Sequence, residues 1–308
     1  MPPTTDSQGR TFIHHPNGQT THYILSDYTD PWKSSTTTTT TTAPQTILLQ
    51  PGFARHSAFW YHWIPRLSCA GYRIIRRDLR GHGLSSVPES GSSYAYTLST
   101  ILSEIIDTLD QLGLRKVHFV GESTSGILAL ALAARFPSRL HSITLISTPL
   151  YLPPAAQTLF AFGEPSWPAA LRTLGARGWA QRLAAVPGTM AHPDPGYESW
   201  WLEQIGVQSG EGLAGYAEFL CREEVDARGW VEGGEVAGGG VPVLVLVPER
   251  SAAVKVEEAG WLGERVPRAT VVVVKGRGHE IYTEMAEECQ TEFLKFLKDV
   301  DGSREKGE

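Results

Sequence analysis

One stretch of the chain joins a short apolar run to a longer, alanine-rich apolar run through six small or polar residues. It is residues 116–136, KVHFV-GESTSG-ILALALAARF. The first run has the length of a buried strand, and the second has the composition of a helix that is covered on all sides. A tight strand-to-helix turn is therefore the feature that most constrains the fold of this sequence.

The same alternation continues along much of the chain. Short apolar runs with helical patterns between them occupy residues 46–50, 72–78, 116–120, 142–147, 241–247 and 269–274. The clearest helical pattern runs from Leu98 to Leu112, and Gly113 follows it where helices commonly end. Strands that alternate with helices predict an α/β fold with a mostly parallel sheet. Near the N-terminus, two β-prone runs joined by Pro16-Asn17-Gly18 predict a hairpin.

Residues 150–240 interrupt the alternation. They contain no convincing strand, but five of the nine tryptophans fall there. The interpretation is a helical cap over residues 150–240, inserted into a core made of residues 1–149 and 241–300. The charged residues 301–308 predict a disordered tail, and the consecutive threonines Thr36–Thr42 predict a solvated loop.

Composition and charge narrow the classes of function. The 308 residues carry a net charge of −6, which offers no basic surface for nucleic acid. Neither a secretory signal nor an apolar stretch of roughly 18–20 residues is visible, so no membrane association is expected. Three widely spaced cysteines indicate reduced thiols and a cytoplasmic location. No metal-ligand spacing or dinucleotide fingerprint occurs, so neither a metal nor another cofactor is expected, and a homodimer is left open.

Ser123 is the candidate nucleophile. It lies between the predicted strand and helix, with Gly121 two residues before it and small residues after it. A nucleophile elbow requires this arrangement, because the serine is held in a strained turn that only small neighbours permit. The N–H groups at the start of the helix would favour a developing oxyanion. The Gly-x-Ser-x-Gly pattern is imperfect here, since Ser125 occupies its last position and Gly126 follows.

Two other glycine turns follow predicted strands. Pro51-Gly52-Phe53 comes after residues 46–50, and the Phe53 N–H is a candidate oxyanion donor. Gly276-Arg277-Gly278-His279 comes after residues 269–274. Open α/β sheets place their ligands at the carboxyl ends of strands, so His279 is the candidate general base.

Together these motifs resemble the α/β-hydrolase superfamily. The match consists of PGF after one strand, RRDLRGHGLSS after the next, GESTSG at the turn and GRGHE near the end, over residues 45–149 and 241–298. Within the superfamily the chain resembles capped esterases and lactone hydrolases, including enol-lactonases and fungal macrolactone hydrolases. The resemblance implies an α/β-hydrolase fold with a helical cap between strands six and seven. It also implies Ser123 as nucleophile, His279 as base, and the N–H groups of Phe53 and Thr124 as the oxyanion hole.

The catalytic acid is where the sequence departs from the family. Members commonly carry an aspartate in the loop after strand seven, and alignment of that loop puts Ser251 at its position. Some relatives place the acid after strand six, but Ser147-Thr148-Pro149 offers no carboxylate there. Glu249, two residues before Ser251, is the nearest candidate acid. The alternative is a Ser–His dyad whose imidazole is oriented by Ser251, water or a backbone carbonyl.

Three other carboxylates fit the role of acid less well. Asp78 closes a strand and is expected to anchor the glycine turn that follows it. Glu122 adjoins the nucleophile, so its side chain is expected to point away from the hydroxyl. Glu280 follows His279 directly and cannot easily fold back onto the ring.

The leading hypothesis is a serine hydrolase that cleaves a carboxylic ester or lactone through an acyl-enzyme intermediate. The cap tryptophans favour an apolar or aromatic substrate, and Trp200 and Trp201 are expected to help select it. A serine nucleophile argues against epoxide hydrolase chemistry, which uses aspartate at this place in the fold. The alternatives are a lyase or cyclase that uses the same pocket, and a receptor-like protein that binds a ligand.

Overall fold

The computed structural model describes residues 2–30, 44–89, 91–251 and 253–305. The threonine run Thr36–Thr42, predicted as a solvated loop, lies outside these residues. The described strands are β1 Thr4–Thr5, β2 Thr11–His14, β3 Thr20–Ser26, β4 Thr46–Gln50, β5 Arg73–Arg77, β6 Val117–Glu122, β7 Leu140–Ile146, β8 Val243–Pro248 and β9 Ala269–Val274. The described α-helices are α1 Ile64–Cys69, α2 Leu98–Gln111, α3 Thr124–Arg135, α4 Pro154–Ala161, α5 Trp167–Ala184, α6 Pro195–Gly206, α7 Gly210–Leu220, α8 Arg228–Glu232, α9 Glu235–Gly238, α10 Val256–Arg265, α11 Ile281–Glu284 and α12 Ala286–Glu305.

The strands form one sheet in the order β1-β2-β3-β5-β4-β6-β7-β8-β9. The first three strands are antiparallel, and β3 also runs antiparallel to β5. All the remaining pairs, from β5-β4 to β8-β9, are parallel. The predicted mostly parallel α/β sheet is therefore confirmed, and so is the N-terminal hairpin, which the β2–β3 pairing forms.

The local patterns explain the central elements. Strands β4, β6 and β8 are buried along their whole length, as expected where helices cover both faces of a parallel sheet. Helix α2 begins at an N-cap, Thr97, whose side chain accepts a hydrogen bond from Thr100 N. Gly113 follows the helix with a φ of 66°, so this residue supplies the left-handed conformation that ends it.

The segment between β7 and β8 contains helices and no described strand, and its first part forms the cap, α4 to α7. A hydrogen bond of 2.9 Å from Ala227 N to Leu150 O closes the base of this cap. The last two helices of the predicted cap, α8 and α9, lie against core helix α3 instead. The Trp230 ring is 5.6 Å from the Arg135 guanidinium, and a Cβ at Gly239 would lie 2.5 Å from Ala133 O.

The two helices at the end of the predicted cap, residues 150–240, therefore contact a core helix, and the bounds of the cap stay a prediction. Helical periodicity indicates that a segment is helical, but it does not indicate which layer covers the helix. The sequence pattern of residues 227–240 is compatible with either layer.

The C-terminal segment also differs from its prediction. Helix α12 continues to Glu305, so residues 301–305 are helical rather than disordered, and residues 306–308 lie outside the described residues. The Tyr72 hydroxyl donates a 2.9 Å hydrogen bond to Asp301, which holds this end of the helix on the core. A sequence pattern cannot reveal this contact, because Tyr72 and Asp301 are remote along the chain.

Gly126, in the first turn of α3, gives a stability prediction. A Cβ on this residue would lie 1.9 Å from Thr148 Oγ1, in the loop after β7. Gly126→Ala is therefore expected to lower the free energy of unfolding by about 1–3 kcal/mol, because the helix and the loop must move apart. The measurement is chemical denaturation monitored by circular dichroism.

The matched control is Gly260→Ala in α10, where an added Cβ meets no described heavy atom within 4 Å. This change is expected to leave stability unchanged or to raise it by about 0.5–1 kcal/mol, the usual preference for alanine in a helix. Equal effects of the two substitutions would contradict the close approach of α3 to Thr148.

Candidate active site

Ser123 lies at the junction of β6 and α3. Its backbone has a φ of 51° and a ψ of −125°, a strained conformation for a residue with a side chain. Ser123 N donates to Ile146 O at 2.8 Å, and Gly126 N donates to Ser123 O at 2.9 Å, so both flanks of the turn are held. A Cβ at Gly121 would lie only 2.4 Å from Ser125 O. The structure thus has the geometry of the predicted nucleophile elbow.

Ser125 accounts for the departure from the Gly-x-Ser-x-Gly pattern. This residue is fully buried, and its hydroxyl donates a 2.6 Å hydrogen bond to Pro51 O in the turn after β4. The side chain is therefore tolerated, and it links the elbow to the turn that carries Phe53. The close helix contact that requires glycine falls one residue later, at Gly126.

His279 reaches Ser123 from the loop after β9. Its Nε2 atom is 2.8 Å from Ser123 Oγ, which is hydrogen-bond distance for a nucleophile and its base. Glu284 holds the loop by accepting hydrogen bonds of 2.9 Å from Arg277 N and Gly278 N. The backbone N of His279 also donates to Thr189 O in the cap. The two residues that the sequence predicted as nucleophile and base are thus brought together.

The other ring nitrogen of His279, Nδ1, is buried and has no hydrogen-bond partner among the described residues. The Glu249 side chain is exposed, and its backbone N is bonded to Val274 O at 2.8 Å. Ser251 Oγ accepts hydrogen bonds from Ala253 N and Val254 N in its own loop. The expected contact between Glu249 and His279 is therefore absent, because the end of β8 directs this carboxylate to solvent.

The surroundings of His279 favour a neutral imidazole. Burial is the main cause that lowers the pKa of His279 to about 4, and the Arg55 cation lowers it further, while the Glu280 carboxylate opposes both. A neutral ring has a free lone pair to accept the Ser123 proton. The protonation state needed for a general base is thus present at neutral pH.

The predicted oxyanion donors lie beside Ser123. Phe53 N donates to Thr124 Oγ1 at 3.1 Å, which joins the turn after β4 to the start of α3. As the first residue of the helix, Thr124 has an N–H that no carbonyl of a preceding helical turn accepts. A Cβ at Gly52 would lie 2.8 Å from Ser123 Cβ, so only glycine allows this approach. An oxyanion would take the place of the Thr124 hydroxyl on the Phe53 N–H.

The three remaining carboxylates have distinct structural partners. Asp78 accepts hydrogen bonds from Ser57 N at 2.7 Å, Leu84 N at 3.0 Å and His22 Nδ1 at 2.8 Å, so it anchors the following loop as predicted.

Glu122 accepts a hydrogen bond from Gly52 N at 2.7 Å, and burial raises its pKa to about 7. Glu280 forms a buried ion pair with Arg55, and no role was predicted for Arg55 from the sequence. The one sequence signal for it was a cation in the otherwise apolar turn PGFAR.

Ser123 and His279 open into a cavity of about 490 Å³ between the core and the cap. Its apolar lining includes Phe53, Leu152, Leu159, Phe160, Trp167, Trp179 and Leu183. The rings of Phe53 and Trp167 are 4.5 Å apart, so an aromatic cluster lies next to the oxyanion donors. The space beside the nucleophile therefore suits an apolar group.

Trp200 and Trp201, which were predicted to help select the substrate, are absent from the lining of this cavity among the described residues. The Trp200 ring packs 4.8 Å from Phe59, and Trp201 Nε1 donates to Glu280 at 2.8 Å. The spacing of tryptophans in a helical segment does not indicate which of them faces the cavity. Trp167 and Trp179 do so instead.

Comparison with known proteins defines the class. The model of the alpha/beta hydrolase fold family matches residues 45–285, which is most of the chain. The chain belongs to this family. Among solved structures, the enol-lactonase from Burkholderia xenovorans LB400 superposes with a TM-score of 0.76 at 22% identity, over 93% of this chain and 99% of that one. A carboxylesterase structure from Nitrososphaera gargenis has a TM-score of 0.78 at 19% identity, over 95% and 99%.

Curated relatives are similar over shorter stretches. Bifunctional epoxide hydrolase 2 of Mus musculus is 32% identical over 108 residues, which is 35% of this chain and 19% of that protein. The chain therefore spans about a fifth of that relative's length. The 3-oxoadipate enol-lactonase 1 of Acinetobacter baylyi is 25% identical over 211 residues, 66% of this chain and 71% of that protein. In the described part of the chain, no helix has the length and apolar character needed to span a membrane.

The environment of His279 gives a direct titration prediction. Its imidazole is expected to stay neutral down to about pH 4, well below the ordinary midpoint near 6.5, because burial and Arg55 disfavour the cation. NMR titration of the histidine resonances measures this midpoint, and a His279→Asn variant identifies the signal. A midpoint near 6.5 would show that the ring is hydrated and would contradict the buried geometry.

Proposed function

We propose that this protein is a cofactor-independent serine hydrolase that cleaves a carboxylic ester or lactone through an acyl-enzyme intermediate. The observation that carries the proposal is the 2.8 Å approach of His279 Nε2 to Ser123 Oγ at a strained elbow. A nucleophile, a neutral base and two backbone N–H groups in one place are what acyl transfer requires.

The chemical steps follow from this geometry. Ser123 Oγ attacks the carbonyl carbon while its proton passes to His279 Nε2, and the new oxyanion accepts hydrogen bonds from the N–H groups of Phe53 and Thr124. Collapse of the tetrahedral intermediate breaks the bond to the alcohol oxygen, which takes the proton from His279. Water, deprotonated by the same imidazole, then attacks the Ser123 ester, and the acid is released as Ser123 Oγ takes the proton back from His279. With a lactone, the acid and the alcohol are parts of one product.

An apolar or aromatic substrate fits the cavity best. The aromatic rings of Phe53, Phe160, Trp167 and Trp179 adjoin the nucleophile and would bury a ring or an alkyl chain of the substrate. The enol-lactonase and esterase names among the relatives support an ester or lactone as the reacting group. Ser123 argues against the epoxide chemistry of other relatives, which depends on an aspartate at the elbow.

The proposed catalytic unit is a Ser–His dyad. His279 Nδ1 has no carboxylate partner among the described residues, and Glu249 is exposed. The backbone hydrogen bond from His279 N to Thr189 O and the 2.8 Å contact of Nε2 with Ser123 Oγ support an imidazole that is oriented without a carboxylate. Glu249 is accordingly given no catalytic role.

The unpartnered Nδ1 also supports a second candidate function. Without a carboxylate beside it, the imidazolium that forms during the reaction is less stable, which would slow hydrolysis. The same pocket could then serve a non-hydrolytic lyase or cyclase, or a receptor-like protein that binds its ligand. Product analysis distinguishes hydrolysis from these alternatives, because only hydrolysis adds water to the substrate.

Ser123→Ala tests the nucleophile. This variant is expected to lose covalent labelling by a fluorophosphonate and to lose roughly 10⁶-fold in kcat, because no other group can form the acyl-enzyme. The measurements are intact-protein mass spectrometry and hydrolysis of a panel of p-nitrophenyl esters and aromatic lactones. Aromatic or long-chain esters are expected to react faster than acetates.

Ser103→Ala is the matched control for this test. Ser103 lies on the exposed face of α2, where its hydroxyl donates to Ser99 O. This variant is expected to be labelled and to turn over like the parent. Hydrolysis by Ser123→Ala at more than a tenth of the parent rate would refute the proposed nucleophile.

The acid position gives a second test of the mechanism. Glu249→Gln is expected to cost well under tenfold in kcat, because its carboxylate does not contact the imidazole. Ser251→Asp is expected to raise kcat, since it places a carboxylate at the family's usual position, where it can stabilise the imidazolium. The same ester assay measures both variants. A loss of about 10⁴-fold in Glu249→Gln would show that this residue is the acid after all.

A further inference from the structure

We propose that Glu280 is a positioning residue that fixes His279 and the Phe53 turn against the cap through Arg55, Tyr197 and Trp201. The inference rests on the proposed function, because it assigns Glu280 a role in how Ser123 is activated. It goes beyond that function by linking the docking of the cap to the rate of acyl transfer.

Glu280 follows the candidate base directly in sequence and is almost fully buried. Its Oε1 atom accepts hydrogen bonds from Arg55 Nε at 2.7 Å, from Arg55 Nη2, and from Trp201 Nε1 at 2.8 Å. Its Oε2 atom accepts from the Tyr197 hydroxyl at 2.5 Å. Tyr197 and Trp201 belong to cap helix α6, so one carboxylate joins the cap to the loop of His279.

Arg55 extends the same network to the oxyanion donors. Its Nη1 atom donates to Phe53 O at 3.1 Å, and its backbone N donates to Gly52 O. The guanidinium also lies 4.8 Å from the Trp201 ring. A displacement of α6 would therefore move both the Phe53 turn and the loop of His279, because Arg55 and Glu280 connect all three.

The energetics of burial favour a positioning role. Moving a carboxylate and a guanidinium out of water costs several kcal/mol for each ion, and their attraction often does no more than offset this cost. Such a pair is weak evidence for added stability. Here, among the described residues, every donor to the Glu280 carboxylate comes from the cap or from the Phe53 turn, so these contacts fix the relative positions of the two elements.

The pair also sets the electrostatic environment of His279. Arg55 lowers the pKa of the imidazole and Glu280 raises it, so the two charges oppose each other at the base. With no carboxylate on Nδ1 among the described residues, Glu280 supplies the adjacent negative charge. The charged and titratable groups that surround this loop are Arg55 from the β4 turn, Glu122 from β6, Tyr197 from α6, Tyr282 and Glu284 from α11, and Glu280 itself.

The experiment compares Glu280→Gln, Arg55→Gln and Tyr197→Phe. The rate of fluorophosphonate labelling of Ser123 is measured against pH, and His279 is titrated by NMR. In Glu280→Gln the labelling rate at pH 7–8 is expected to fall about tenfold, because the imidazolium formed during attack faces Arg55 alone. The pH midpoint of the acid limb of its labelling profile is not expected to rise. In Arg55→Gln the midpoint rises by about one pH unit, since Glu280 is then unopposed.

Tyr197→Phe keeps both charges and removes one cap hydrogen bond from Glu280. Its labelling rate is expected to fall about threefold to tenfold with little change in the pH midpoint. This variant also tests the proposal if Glu280→Gln does not fold. A labelling rate equal to that of the parent would overturn the proposal. Equal rates in the parent and Glu280→Gln would overturn it as well.

Two further comparisons separate positioning from simple structural loss. If Glu280→Gln and Arg55→Gln both shift the midpoint upward toward 6.5, the network merely excludes water and the proposal is wrong.

Glu104→Gln is the control, since Glu104 is a buried carboxylate paired with Arg80 at 3.0 Å in a different ion-pair network. It is expected to lose stability and to keep the parent pH profile. A parent protein that is not labelled at all would overturn the proposed function together with this inference, whereas a labelled parent with an unaltered Glu280→Gln would overturn only the inference.

Discussion

The strained backbone at Ser123 is the constraint on which the rest of the site depends. A residue with a side chain adopts a positive φ there because β6 ends and α3 begins within a single residue. The turn closes only because glycine stands at Gly121, where a Cβ would collide with Ser125 O, and at Gly52, where it would collide with Ser123 itself. The strain raises the hydroxyl out of the sheet, and the surrounding sheet and helix hold it in place.

Burial of ionisable side chains is the second organising effect. Around the elbow, Arg55, Glu122 and Glu280 are all removed from water, and each is compensated by specific hydrogen bonds. The low local dielectric keeps His279 neutral and makes every nearby charge count for more than it would at the surface. The cap contributes to this environment twice, with an aromatic wall on the cavity and with Tyr197 and Trp201 on the Glu280 carboxylate.

The prediction from sequence was most accurate where local pattern and local structure coincide. The elbow residues share one strand, one turn and one helix, so the order of these local patterns put Ser123 at the strand-to-helix turn, and the position after β9 singled out His279. The prediction was wrong for contacts between remote segments. The exposed Glu249 does not contact His279, and the tryptophans that line the cavity are Trp167 and Trp179 rather than the pair at Trp200 and Trp201.

The sequence by itself determined the order of strands and helices, the hairpin, the elbow and the glycine turns, because hydrophobic period and turn chemistry are local properties. Only the tertiary structure decided which helix α8 and α9 contact, which ring faces the cavity and where each carboxylate is directed. Glu280 illustrates the reason. Its partner Arg55 lies more than two hundred residues away along the chain, and its remaining donors belong to a cap helix. Side-chain direction across such distances is set by how the layers pack, and no local pattern encodes it.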